Sequence, residues 1–290
     1  MKKFFKRLAL LLLVIAAGLG AFIAFAYWKS RSRMGKTYTV QGHNIAVPTD
    51  AAAIAEGKRL FASRGCVDCH SSDLAGTVFL QNPAIGTFSG TNLTRGKGGI
   101  GSKMTALDFE KALRHGVGRS GKPLIFMPST DFSGMSDEDV GRLFAYIQSA
   151  APVDRPSARQ KIGPLGRILY ITGKMPLLVS AEHIDHNAAS TAKIAPAVNL
   201  EYGKYIAQTC TGCHGANLAG GPIPGAPPEW PAAQDIRKSA MAKWNEQQFI
   251  AAIRTGKRPD GSEIRFPMPW KNFALMTDTE LRALWLFLRS

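Results

Sequence analysis

Only four cysteines occur among 290 residues, a scarcity that excludes a small disulfide-stapled scaffold. Acids are scarce too: 21 stand against 36 lysines and arginines, a formal net charge of +15. Residues 1–47 contain no acid and eight of the basic residues. The rest is close to balanced, with 12 basic and 11 acidic residues in 48–155 and 11 against eight in 196–290. Neither half has the basic stripe that phosphate neutralisation needs, so nucleic acid is excluded as a partner. Charge is missing altogether from Leu8 to Trp28, a run of 21 residues.

That run, as a helix rising ~1.5 Å per residue, matches the ~30 Å hydrocarbon core of a bilayer. Lys2, Lys3, Lys6 and Arg7 precede it, and Tyr27 and Trp28 close it before Lys29, Arg31 and Arg33. A cleaved signal peptide is the competing reading, because Ala24-Phe25-Ala26 resembles a cleavage site. Signal h-regions run only ~7–15 residues, so length favours an uncleaved anchor. Basic residues on both flanks leave the orientation open.

The chain repeats itself. Cys66-Val67-Asp68-Cys69-His70 recurs as Cys210-Thr211-Gly212-Cys213-His214. Downstream, Phe109, Arg114, Gly116 and Gly121 recur as Phe249, Arg254, Gly256 and Gly261. Met127-Pro128 recurs as Met268-Pro269, and Met135 as Met276. Two copies of this size make a tandem duplication and not a solenoid. The expected layout is an anchor over 1–30, a juxtamembrane linker over 31–47, domains over 48–155 and 196–290, and an interdomain linker over 156–195.

Both Cys-x-x-Cys-His motifs are suited to covalent haem. Two thiols three positions apart add to the two vinyl groups of one haem, and the following histidine reaches the iron. A zinc site needs four ligands in one cluster, and each motif supplies three. A redox Cys-x-x-Cys expects a surrounding βαβ pattern, which is missing here.

On these motifs the sequence resembles class I cytochrome c domains in tandem, over about 48–155 and 196–290. It is similar to the membrane-anchored dihaem cytochromes that serve periplasmic dehydrogenases and respiratory chains. The resemblance implies small all-α domains with little strand, an N-terminal helix crossing a C-terminal one, and methionine as the usual distal ligand. It also implies haem attachment outside the cytoplasm, which puts the domains on the periplasmic side of the bacterial inner membrane. If the leader is cleaved, the protein is periplasmic.

Capping and periodicity predict helices over about 50–64, 106–115 and 137–149 in one half, and over 246–255 and 278–289 in the other. Gly96–Gly101 and Pro222–Pro231 read as loops. Among the methionines, Met135 and Met276 stand just before a helix cap and can staple onto Val140 and Leu281. Met127 and Met268 have no such job and precede proline in both halves. They are the expected distal ligands, with His70 and His214 proximal and Cys66, Cys69, Cys210 and Cys213 bonded to two haems.

Arg114 and Arg254 read as a solvated helix face, with a propionate contact as the alternative. His183 and His186 are too few for a metal site, and His115 has no counterpart. The segment 163–179 is too apolar for a free tether and too interrupted to span a bilayer. It is expected to pack across the two haem domains, with docking on a membrane or partner as the alternative. The functional expectation is a one-electron carrier between a dehydrogenase or membrane donor and a respiratory acceptor, an oxidase or soluble cytochrome. The alternatives are a dihaem peroxidase-like or thiosulfate-oxidising enzyme, and a dihaem subunit of a haem–copper oxidase.

Overall fold

The computed structural model describes residues 1–227 and 229–290. A long helix α1 (Lys2–Met34) leads into the first repeat. That repeat contains α2 (Ala51–Ser63), α3 (Cys66–His70), β1 (Val78–Asn82), β2 (Gly86–Ser89), α4 (Ala106–His115) and α5 (Asp137–Ser149). β3 (Lys161–Ile162) and α6 (Pro164–Ile171) follow. The second repeat holds α7 (Leu200–His214), α8 (Glu246–Thr255), α9 (Trp270–Phe273) and α10 (Asp278–Leu288).

Local chemistry explains the helix ends. The Asp50 carboxylate accepts the Ala53 N–H at 2.8 Å to start α2. Thr105 with Asp108, Asn245 with Gln248 and Thr277 with Glu280 form reciprocal capping boxes on α4, α8 and α10. α4 and α8 end at left-handed Gly116 and Gly256, as their common sequence predicts. In each repeat the first helix crosses the last, α2 on α5 and α7 on α10. Gly57 and Gly203 sit at these crossings, where a Cβ would run into the Arg142 and Ala283 carbonyls. The backbones meet there because neither position has a side chain.

The first helices differ between repeats. Gly57 to Cys66 is two residues longer than Gly203 to Cys210. The extra length is taken up at Arg64 and left-handed Gly65, which separate α2 from α3, whereas α7 runs unbroken into its histidine. Two cores result, one around Leu60, Phe109 and Leu143, the other around Ile206, Phe249 and Leu284.

The fold is helical as expected, with one addition: a small antiparallel sheet in the order β1-β2-β3. Gly96–Gly101 and the described part of 222–231 are irregular, apart from a 3-10 turn beginning at Gly101; Pro228 lies outside the described residues.

The linker packs mainly on the first repeat and on α1, and it also reaches the second repeat through Met175 beside Gly225 and through Ile194 against the second core. The two repeats meet directly as well. β3 pairs with β2, α6 lies along α1, and Tyr170, Met175, Leu178 and Val179 join Val40 and Phe88 in a third core. The stretch 31–47 is also built in, with Val40 and Ile45 buried and the Tyr38 N–H donating to the Gly121 carbonyl at 2.9 Å. Apolar character marked both segments for burial but did not name the surface.

Candidate haem sites

Each Cys-x-x-Cys-His motif ends a helix and is followed by the same tight loop. The His70 carbonyl accepts from Gly76 N–H at 2.9 Å, and the His214 carbonyl from Gly220 N–H at 2.8 Å. Leu74 and Leu218 both take φ 59°, and the Asp73 and Asn217 side chains accept the Ala75 and Ala219 N–H groups. Leu74-Ala75-Gly76 recurs as Leu218-Ala219-Gly220 at the same spacing as the cysteines. Extending the repeat comparison beyond the histidine would have found this loop.

The loop ends where it can hold the imidazole. His70 Nδ1 donates to the Thr91 carbonyl at 2.9 Å, and His214 Nδ1 to the Gln234 carbonyl at 2.7 Å. A carbonyl only accepts, so Nδ1 carries the proton and Nε2 keeps its lone pair for a metal. Burial lowers both histidine pKa values, which also favours the neutral form that ligates.

Burial pushes the Cys66 thiol up to about 12, and Cys69 and Cys210 up to about 11. Such thiols are poor thiolate nucleophiles, so a dithiol redox role does not fit. Paired thiols on one helical turn beside a histidine with a free Nε2 do fit covalent haem. Among the described residues there is no group of three or more His, Cys, Asp or Glu able to hold a metal ion, and His183 and His186 belong to none. His186 instead meets His115, Nδ1 to Nδ1, at 3.1 Å.

The six methionines of the two repeats separate into two sets. Met104, Met135, Met241 and Met276 are buried in the cores, the second and fourth beside Val140 and Leu281 as staples. Met127 and Met268 are half-buried at the edge of their cores. Their segments are tied through the backbone. The Met127 carbonyl accepts from Ser129 N–H at 2.8 Å and from Ser180 Oγ at 2.6 Å, and the Met268 carbonyl from Trp270 N–H at 2.9 Å.

Arg114 is buried and not on a solvated face, Arg254 stays partly exposed, and neither is placed by these contacts on a propionate. Arg114 donates to the Met135 carbonyl and pairs with Asp137 at 2.7 Å; Arg254 donates to the Ala274 carbonyl and pairs with Asp278 at 2.7 Å. Each ties the middle helix to the start of the last one. Sequence reading could not see partners 20 or more residues away.

The repeats meet reciprocally. Arg59 on α2 bonds Glu280 on α10 at 2.7 Å, and Tyr205 on α7 donates to Asp139 on α5 at 2.6 Å. Both acids are the third residue of a last helix, so the contacts are equivalent. Four residues beyond Met268, Asn272 donates to Asp68 inside the first Cys-x-x-Cys-His at 2.8 Å. Four residues beyond Met127, Asp131 lies against Gly212 inside the second, where a Cβ would stand 2.6 Å from its Oδ2. The contact is self-complementary in the manner of a two-fold dimer, but within one chain. Burial pushes Asp131 up to about 6.

One local departure is testable. Ser71, directly after His70, has φ 64° and ψ 163°, a region suited to glycine, and the second repeat has Gly215 there at φ 77° and ψ 160°. Ser71→Gly should stabilise the protein by about 1 kcal/mol, once the entropy cost of glycine is set against relieved strain. Thermal unfolding of the two proteins checks this; an unchanged or lower midpoint would contradict it.

The cytochrome c family model matches residues 54–151 and 200–290. The chain is 28% identical over 270 residues to the fructose dehydrogenase cytochrome subunit of Gluconobacter japonicus, covering 79% of this chain and 51% of that protein. It is also 28% identical over 273 residues to the cytochrome c subunit of the quinone alcohol dehydrogenase of Gluconacetobacter polyoxogenes, covering 83% and 56%. The gluconate 2-dehydrogenase cytochrome c subunit of Pantoea cypripedii is 39% identical over a shorter stretch of 109 residues, covering 35% and 24%. The chain thus spans about half the length of the first two of these curated relatives, and matches less of the third. Cytochrome c domains carry covalently bound haem c, the group that the cysteine and histidine geometry fits. With both halves matched, this chain belongs to the cytochrome c family.

Proposed function

We propose that the chain is a dihaem c-type cytochrome, passing single electrons from a dehydrogenase or other membrane donor towards an oxidase or soluble cytochrome. One haem is bonded to Cys66 and Cys69, with His70 and Met127 on its iron. The other is bonded to Cys210 and Cys213, with His214 and Met268. Bound haem supplies reversible one-electron exchange at iron. The residues of the chain restrict what that exchange is used for. His70 with Met127 and His214 with Met268 would hold the two irons, and with both ligands in place neither would offer a position to peroxide, thiosulfate or oxygen.

The observation that carries the relay is the reciprocal contact between repeats. The segment after each distal methionine rests on the other repeat's haem-attachment turn, so the two sites adjoin. The dehydrogenase names of the relatives support a dehydrogenase as donor. α1 is the one helix among the described residues that is long and apolar enough to cross a membrane. We assign it as the anchor, with both domains on the periplasmic side.

Stopped-flow mixing of the full-length protein with small redox partners tests the reading. Rapid reduction and reoxidation with negligible peroxide turnover is the expected result. Peroxide turnover that survives removal of contaminating catalase would make one methionine a displaceable ligand and replace the relay with an enzyme.

A further inference from the structure

We infer that α6 and the β1–β2 turn form a membrane-seated face, holding the first haem domain against the outer boundary of the bilayer. The inference rests on α1 being the anchor. Within α1 only Ala26 and Ser30 are buried. Ala26 lies inside the uncharged run that ends at Trp28.

What covers these positions is α6 and the residues leading into it. Arg167 donates to Ser30 Oγ at 2.8 Å and lies 4.4 Å from the centre of the Tyr27 ring. A cavity beside it is lined by Ile23, Ala26 and Tyr27 from α1, and by Ile162, Pro164 and Ile168 opposite. Ile23 precedes Trp28 by five residues, or ~7.5 Å along a helix. An interfacial helix buries its apolar face about 5–10 Å into the headgroup and acyl boundary. Lining the same cavity as Ile23, Ile162, Pro164 and Ile168 stand at about that depth.

The uncovered side of the same element is apolar as well. Leu165 is 43% exposed, and its N–H donates at 3.0 Å to the carbonyl of Ala84, in the β1–β2 turn where Pro83 and Ala84 are also exposed. Exposed Lys29, Arg31, Lys161 and Lys174 flank these segments and can meet headgroup phosphates while their stems follow apolar surface. Continuity with the anchor makes lipid the occupant: the face begins where α1 is still inside the apolar layer. Sitting in the interface also explains why an apolar linker helix is retained on a domain that already has its own core.

The full-length protein in nanodiscs containing a phospholipid with a photoreactive diazirine on its acyl chain tests this, with adducts mapped by peptide mass spectrometry. Adducts are expected on residues 8–28 and on 162–168, and none on α8. Leu165→Glu should reduce the 162–168 adducts several-fold while leaving those on α1 and the haem spectrum unchanged. Adducts on α1 with none on 162–168 would overturn the seat and leave the anchor standing. No adducts on either segment would overturn both.

Discussion

Met127→Ala should abolish about half of the methionine–iron charge-transfer absorption of the oxidised protein, and Met268→Ala the other half. Each methionine is half-buried at the edge of its core in a segment fixed through its own carbonyl. Losing the side chain therefore removes a ligand without opening a core cavity. Replacement by histidine should remove the same absorption and lower the potential of the affected centre, because methionine ligation raises it. The comparison is Met135→Leu and Met276→Leu, which keep core volume and should leave the absorption intact at a cost below about 1.5 kcal/mol. If these variants lost the absorption and the Met127 and Met268 variants kept it, the ligand assignment would be wrong.

Glu280→Ala should destabilise the protein by about 3–5 kcal/mol, the usual cost of removing one partner from a buried ionic cluster. Glu280 is 1% exposed, bonds Arg59 at 2.7 and 3.1 Å, and stands 3.6 Å from Arg64. Arg64 is itself buried, its Nε and Nη1 have no hydrogen-bond partner among the described residues, and Glu280 is the counter-charge beside it. The same carboxylate completes the capping box of α10. Burial resists its ionisation, but the Arg59 hydrogen bond and the nearby Arg64 charge hold its pKa below the ordinary glutamate value.

A depressed carboxylate contributes stability above its unfolded pKa and loses it as pH falls through the folded one. The cost of Glu280→Ala should therefore be full at pH 7 and shrink as pH is taken below about 4.5. Denaturant titrations across that range measure it. Two separate transitions in the variant, where the parent shows one, would mark release of the repeats from each other. A cost independent of pH would contradict the ionic account.

The helices and cofactor motifs were legible because their signals are local. Thr105 and Gly116 bracket α4, Asn245 and Gly256 bracket α8, and each Cys-x-x-Cys-His is five residues long. Comparing the halves also separated staple methionines from the rest, because a staple is defined by the cap beside it. What was not legible depends on partners far along the chain. Arg114 and Arg254 look like solvent-facing charges until the Met135 and Ala274 carbonyls are placed beside them. Arg59 and Tyr205 are at matching positions but differ in chemistry, so nothing local links them to Glu280 and Asp139. The linker announced burial through Ile168, Leu169 and Tyr170. It took the geometry of Ala26 and Ser30 to show that part of the burying surface is α1.

The central claim is that each repeat binds its own haem through covalent bonds. Intact-mass measurement of the mature protein after acid–acetone extraction tests it most directly, whatever the state of the N-terminus. The account predicts pigment that stays on the chain and a mass equal to the polypeptide plus two haems. Extractable haem, a mass of the bare polypeptide, or bound zinc in place of iron would contradict it.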